Sequence, residues 1–132
     1  MKAGCRLMQD LEDTLDEDKP KVATFYFAHS TTMMLLLNIL GASEDPYEIT
    51  HDLYDTYDGN SRNFRSSTLT PMAANVGFVL FDCKESSDDD EITKKVVAYH
   101  NERPLFFKRC NNSFSCNWEQ FKDIFEVRIK LF

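Results

Sequence analysis

Three histidines, four cysteines and two nearby arginines are the residues of this chain with chemistry to offer. His29 stands apart from the rest. It closes an apolar, aromatic run over residues 21–28 (Lys-Val-Ala-Thr-Phe-Tyr-Phe-Ala). Ser30, Thr31 and Thr32 follow at once, and then Met-Met-Leu-Leu-Leu-Asn-Ile-Leu runs into Gly41. A strand that turns directly into a helix sets the imidazole at a helix N-terminus. Free backbone N–H groups and the positive end of the helix dipole collect there, which suits an anion, phosphate above all. Protonated, His29 would donate to a phosphoryl oxygen and offset charge in a transition state, with the Ser30 and Thr31 hydroxyls as further donors. A site of this kind favours mildly acidic pH. The competing reading is a buried histidine bonded to a neighbouring carbonyl.

The other candidates are weaker. His51, in Ile-Thr-His-Asp-Leu-Tyr, reads as a surface residue, and His100, at a strand end before a turn, as a surface or pairing residue. Arg62 and Arg65, in Asn-Ser-Arg-Asn-Phe-Arg-Ser-Ser, are the one arginine pair near the middle of the chain. A structural or surface role is favoured over phosphate ligation. Gly4, Gly41, Gly59 and Gly77 are isolated, so there is no P-loop or other glycine-rich phosphate cradle, and no Ser-His-Asp order is present. Cys110 and Cys116 flank the polar stretch Asn-Asn-Ser-Phe-Ser, a spacing that can close a small disulfide loop. The same loop holds the glycosylation sequon Asn111-Asn112-Ser113. Together the two features point towards the secretory pathway. No Cys-x-x-Cys or His-x-x-x-His spacing exists, so neither a metal nor a cofactor is expected.

The elements that must position these groups are legible from periodicity. Leu7, Met8, Leu11 and Leu15 fall at helical spacing, with Asp10, Glu12, Asp13 and Asp16 opposite, predicting an amphipathic helix over residues 2–15. The near-continuous apolar run at 21–28 predicts a strand covered on both faces. Ser30 or Thr31 is the expected cap of the next helix, whose residues 33–40 are apolar almost all round and call for burial, with Gly41 as its stop. Residues 42–63 are a polar excursion, with one short helix near 46–54. Residues 64–70 then lead to Pro71. Residues 76–81 and 92–100 predict a hairpin across an acidic loop at 86–91, with a turn at 101–104 and a brief pairing at 105–107. Trp118, Phe121, Ile124 and Phe125 make a helical core stripe over 117–126, and 127–132 is an apolar, basic tail.

The chain has 132 residues, 42% of them hydrophobic and 28% charged, which are globular values, and it reads as a single unit over 1–132. A net charge of −7 argues against nucleic acid or an anionic membrane as partner. No apolar run approaches a membrane span, and the first residues do not read as a signal peptide. Two strands with two apolar faces and an all-round apolar helix want more cover than the rest of the chain supplies.

The blocks resemble, in order, a known family. Phe-Tyr-Phe-Ala-His-Ser-Thr-Thr-Met-Met-Leu-Leu-Leu-Asn-Ile-Leu-Gly (25–41) is similar to the late histidine motif of the branch-two histidine acid phosphatases, the multiple inositol polyphosphate phosphatases above all. Asn-Phe-Arg-Ser-Ser-Thr-Leu-Thr-Pro-Met-Ala-Ala-Asn-Val-Gly-Phe-Val-Leu-Phe-Asp-Cys (63–83) resembles the block that follows it. Gly-Cys-Arg-Leu-Met-Gln-Asp-Leu (4–11) resembles the preceding helix, and Val-Val-Ala-Tyr-His-Asn-Glu-Arg-Pro-Leu (96–105) the later strand and turn.

The resemblance implies an α/β fold, the C-terminal part of a phosphoglycerate-mutase-like, three-layer histidine phosphatase domain. It implies phytase-like, metal-free removal of phosphate from inositol polyphosphates or other phosphomonoesters, in a protein secreted or held in the endoplasmic reticulum lumen. Position by position, His29 takes the place of the phosphate-binding late histidine, with Ser30 beside it at the substrate. Thr31 takes the place of the acidic proton donor. Threonine is a poor general acid. The family's nucleophilic histidine sits in Arg-His-Gly, and none of His29, His51 or His100 follows an arginine. The expectation is therefore an incomplete, catalytically silent portion. The alternative is a non-catalytic acidic phosphate-binding or interaction module.

Overall fold

The computed structural model describes residues 2–16, 23–48, 50–52, 61–84 and 92–130. The centre of the fold is an antiparallel hairpin. Strand β1 (Val76–Lys84) pairs with β2 (Ile92–His100) along its whole length, from Val76 opposite His100 to Lys84 opposite Ile92. Side chains alternate between the faces of a strand. Val76, Phe78 and Leu80 therefore share a face with Val96 and Ala98, and the latter two are fully buried. The opposite face carries Val79 and Phe81, which are exposed.

On its other edge β2 meets two short strands, β3 (Arg103–Pro104) and β4 (Cys116–Asn117). Asn101 and Glu102 join β2 to β3 with φ of 48° and 66°. Positive φ at both central residues marks the type I′ hairpin turn, and asparagine tolerates it well. Asn101 also clamps the entry to β1: its N–H donates to the Asn75 carbonyl and its Oδ1 accepts from the Asn75 N–H, each at 3.0 Å. The Leu105 N–H donates to the Ala98 carbonyl at 2.8 Å, and Phe107 bridges to Ser113, so the brief pairing predicted at 105–107 is present.

Helix α4 (Trp118–Lys130) closes the core. Asn117 caps it, its Oδ1 accepting from the Glu119 and Gln120 N–H groups at 3.0 and 3.4 Å. The helix runs on through Lys130, so the expected tail at 127–130 is its last turn. Trp118, Phe121 and Phe125 are each about 1% exposed, and Ile124 packs beside them. Phe121 is the hub. Its ring meets Phe78, Phe107 and Phe125 edge-on and stacks on Trp118, with centroids 4.3–6.2 Å apart.

Cys110 and Cys116 are joined in a disulfide with Cα atoms 5.3 Å apart, and both are buried against this cluster. Asn111 and Asn112 adopt left-handed φ of 55° and 54° between them, again a conformation that asparagine accepts. Replacing both cysteines with alanine should cost about 2 kcal/mol, mainly by freeing the unfolded loop. A urea melt followed by Trp118 fluorescence measures it, and an unchanged midpoint would show that aromatic packing alone holds the loop.

Two more helices pack on the same core. Helix α1 (Lys2–Asp16) buries Met8 completely and lays Leu7, Leu11 and Leu15 against the cluster, as its spacing predicts. Helix α2 (Ser30–Ile39) buries Leu36 and Leu37. Gly41 ends α2 at φ 73°: its N–H donates to the Asn38 carbonyl, while the Ala42 N–H donates to that of Leu37. This is the Schellman arrangement. Burial of α2 is less complete than its apolar sequence demands, since Leu35 remains 37% exposed.

The strand expected at 21–28 is corrected. Residues 23–28 form no helix and join no ladder among the described residues, and 21–22 lie outside them. Phe25 and Phe27 are 80% and 96% exposed. An apolar run specifies the cover it wants, but ladder partners are non-local and none of the described strands reaches it. The acidic loop at 86–91 also lies outside the described residues. Of the short helix expected near 46–54, residues 51–52 are helical, while 49 and 53–54 are not described.

Candidate phosphate site

The chain enters α2 through His29, whose φ of −77° and ψ of 158° are extended, and then turns helical at Ser30. His29, not Ser30 or Thr31, is thus the N-cap residue, correcting the expected cap by one or two residues. Its carbonyl accepts the first helical bonds, from the Thr32 and Met33 N–H groups at 3.0 and 3.3 Å. Its side chain makes no capping bond and is exposed. The Ser30 and Thr31 N–H groups fall in the first turn, where a helix offers no backbone acceptor. No acidic residue occupies that turn. An imidazole, two hydroxyls and two amides without a partner among the described residues therefore share one helix start, with the positive end of the dipole behind them. The buried-histidine alternative for His29 fails on exposure.

Neighbouring contacts hold this start in place. Tyr26 Oη lies 3.1 Å from Thr14 Oγ1 on α1, tying the segment before α2 to the first helix. Beyond α2, the Asp45 carboxylate accepts from the Asn63 and Phe64 N–H groups at 2.6 and 3.0 Å, and Asn63 Nδ2 donates to the Glu44 carbonyl at 2.9 Å. These bonds bring the Arg62–Arg65 stretch back to the C-terminal end of α2. In sequence Asp45-Pro46 reads only as a turn, and partners this far along the chain leave no local signal.

The two arginines have local roles. Arg62 Nε donates to the Phe64 carbonyl at 3.1 Å. Arg65 supplies the carbonyl that starts the short helix α3 (Ser66–Leu69), accepting from the Thr68 and Leu69 N–H groups, while its own Nε is buried with no partner among the described residues. His100 is half-buried, and its Nε2 donates to the Leu69 carbonyl at 2.7 Å, fixing the end of α3 to the hairpin. His51 is exposed, and its Nδ1 meets the Asp52 carboxylate at 3.2 Å. Asn111 lies exposed on the disulfide loop, on the far side of the sequence from His29.

Mixed helices and an antiparallel sheet, with an exposed histidine at a helix start, fit an α/β fold. Residues 5–101 fit the family model of the histidine phosphatase superfamily, branch 2, and the chain belongs to that superfamily. Within it, the chain is similar to multiple inositol polyphosphate phosphatase 1 of Drosophila melanogaster, 33% identical over 125 residues that make up 92% of this chain and 25% of the relative. The Dictyostelium discoideum protein of the same name is 31% identical over 106 residues, covering 80% of this chain and 16% of the relative. The human one is 28% identical over 131 residues, 86% and 26%. The chain thus spans about a quarter or less of the length of these curated relatives. No solved structure matches it.

Proposed function

We propose that this chain is the late-histidine portion of a branch-2 histidine phosphatase, that it binds the phosphoryl group of an inositol polyphosphate or related phosphomonoester through His29 and Ser30, and that it does not hydrolyse the ester alone. The observation that carries the reading is the free, exposed imidazole at the start of α2, beside two amides with no helical acceptor. Catalysis by this family's chemistry needs a nucleophile and a proton donor as well. No histidine here follows an arginine, and Thr31 stands where the donor would be. The Arg-His-Gly part would lie in sequence ahead of these 132 residues, which form one unit. Cys110–Cys116 and the exposed Asn111 sequon fit a glycosylated protein of the secretory pathway, secreted or in the endoplasmic reticulum lumen.

The test is a titration of the full chain with inorganic phosphate and with phytate at pH 5, read by amide and imidazole NMR shifts. Movement should centre on His29, Ser30 and Thr31, and His29→Ala should weaken binding about tenfold, as loss of a charge-assisted bond implies. Shifts scattered elsewhere would sink the phosphate role. Release of phosphate from phytate by the chain alone, abolished in His29→Ala, would overturn the silence.

A further inference from the structure

Asn111 opens the one Asn-x-Ser/Thr sequon of the chain, and that sequon lies inside the Cys110–Cys116 disulfide loop. A sequon is read through two groups, the asparagine amide that takes the sugar and the hydroxyl two residues on. The folded loop treats them oppositely. Asn111 is exposed. Ser113 is half-buried and engaged twice: its Oγ accepts from the Ser115 N–H at 3.2 Å, and its carbonyl accepts from the Phe107 N–H at 2.8 Å. Asn111 and Asn112 both hold left-handed φ, of 55° and 54°, so the backbone turns back on itself between the two recognition groups. The ends of the loop are fixed as well. Cys110 and Cys116 are buried, the Cys110 N–H donates to the Phe107 carbonyl at 3.1 Å, and Cys116 pairs with Val96 in the sheet. Closure holds the two cysteine Cα atoms 5.3 Å apart, although they are six residues apart in sequence. The same length of open chain can extend to about 20 Å. An acceptor segment enters a peptide-binding groove as open backbone, and the closed loop has none to offer.

We propose that Asn111 accepts an N-linked glycan only while Cys110 and Cys116 are still thiols, and that closing the disulfide ends its use as an acceptor. In the transfer, Asn111 Nδ2 forms a bond to C1 of an oligosaccharide carried on a lipid pyrophosphate. The C1–O bond to the pyrophosphate breaks, the lipid pyrophosphate leaves, and the amide gives up one proton. Closure of the loop then passes two electrons and two protons from the thiols to a disulfide oxidant. The order runs one way. Asn111 is exposed, so a glycan on it projects into solvent and the modified loop still closes. A closed loop is not modified. Glycan and disulfide therefore compete in time for one loop, and the fraction glycosylated records which came first. The inference rests on the reading of this chain as a glycosylated protein of the secretory pathway, and not on its binding phosphate.

The experiment incubates the purified full chain with an oligosaccharyltransferase and its lipid-linked oligosaccharide, and follows the mass added at Asn111. Cys110→Ser with Cys116→Ser, which cannot close the loop, should be glycosylated at an initial rate at least about tenfold above that of the oxidised parent. Ser113→Ala in that open background should remove the added mass, since the chain has no other sequon. Phe121→Ala with the disulfide intact separates the loop from the fold. It weakens the core but leaves the loop closed, so its rate should stay that of the oxidised parent. Parent chain glycosylated under reduction and then oxidised should form the Cys110–Cys116 bond, as a non-reducing peptide map reads. Equal rates for the oxidised and open forms overturn the proposal and leave the glycosylation reading standing. A Phe121→Ala chain modified as fast as the open form also overturns it, because unfolding and not the loop would then be the gate. So does a glycosylated chain that fails to close. Transfer to none of these forms sinks the proposal and the glycosylation reading together.

Discussion

Phe121→Ala is expected to remove about 3–5 kcal/mol of stability, the usual cost of truncating a buried phenylalanine. Small domains rarely have more than about 5–15 kcal/mol in total. The reason lies in what the ring joins. Phe78 comes from β1, Phe107 from the segment after β3, and Trp118 and Phe125 from α4 itself, and Phe121 touches all of them. The residue is 1% exposed, and its neighbours Val96 and Ala98 are on a strand paired on both sides, so the cavity cannot close by a local shift. Urea melts by circular dichroism and by Trp118 fluorescence should show a midpoint far below that of the parent, or no folded baseline at all. Phe27→Ala serves as the control: with its ring 96% exposed, its effect should stay within about 0.5 kcal/mol. A loss under about 1 kcal/mol for Phe121→Ala would show that this cluster is not the core.

The same cluster shows which parts of the fold a single sequence can carry. Trp118, Phe121, Ile124 and Phe125 are spaced for one helical face, and the apolar run of 76–81 reads as a strand. Each pattern is local, and each element stands where its period put it. The disulfide loop is local as well, and Cys110 and Cys116 are bonded. What the sequence left open is contact between distant segments. Asp45 holds Asn63 and Phe64, and His100 holds Leu69, by bonds that no short-range pattern encodes. The run at 21–28 is the sharpest case. Its composition states a need for two covered faces, yet residues 23–28 are exposed throughout, Tyr26 as well as Phe25 and Phe27. His29 was legible as the residue at the turn from extended chain to helix. Its role as the N-cap itself, and the freedom of its imidazole, depend on where the dihedral change falls, which Ser30 and Thr31 obscure because both are good caps in their own right.

Thr31→Glu in a complex of this chain with the part of the Drosophila relative outside the match should raise phosphate release from phytate by about two to four orders of magnitude over the Thr31 complex. That range is the usual contribution of a placed general acid. A threonine hydroxyl gives up its proton too reluctantly to protonate a leaving alkoxide, whereas a carboxylic acid at the same position reaches the same oxygen from the first turn of α2. The exchange is structurally mild. Thr31 is exposed, the first turn carries no acid now, and a carboxylate near a helix N-terminus is itself stabilising by about 0.3–1 kcal/mol. A melt of the Thr31→Glu chain at or above the parent midpoint would therefore accompany the gain, separating chemistry from folding. His29→Ala in the Thr31→Glu background should cancel the gain, because a donor aimed at an ester that is no longer held has nothing to protonate. A gain below about tenfold in a complex that still binds phosphate at His29 would place the proton donor on the partner polypeptide, and would leave Thr31 as a helix-start residue with no part in the reaction.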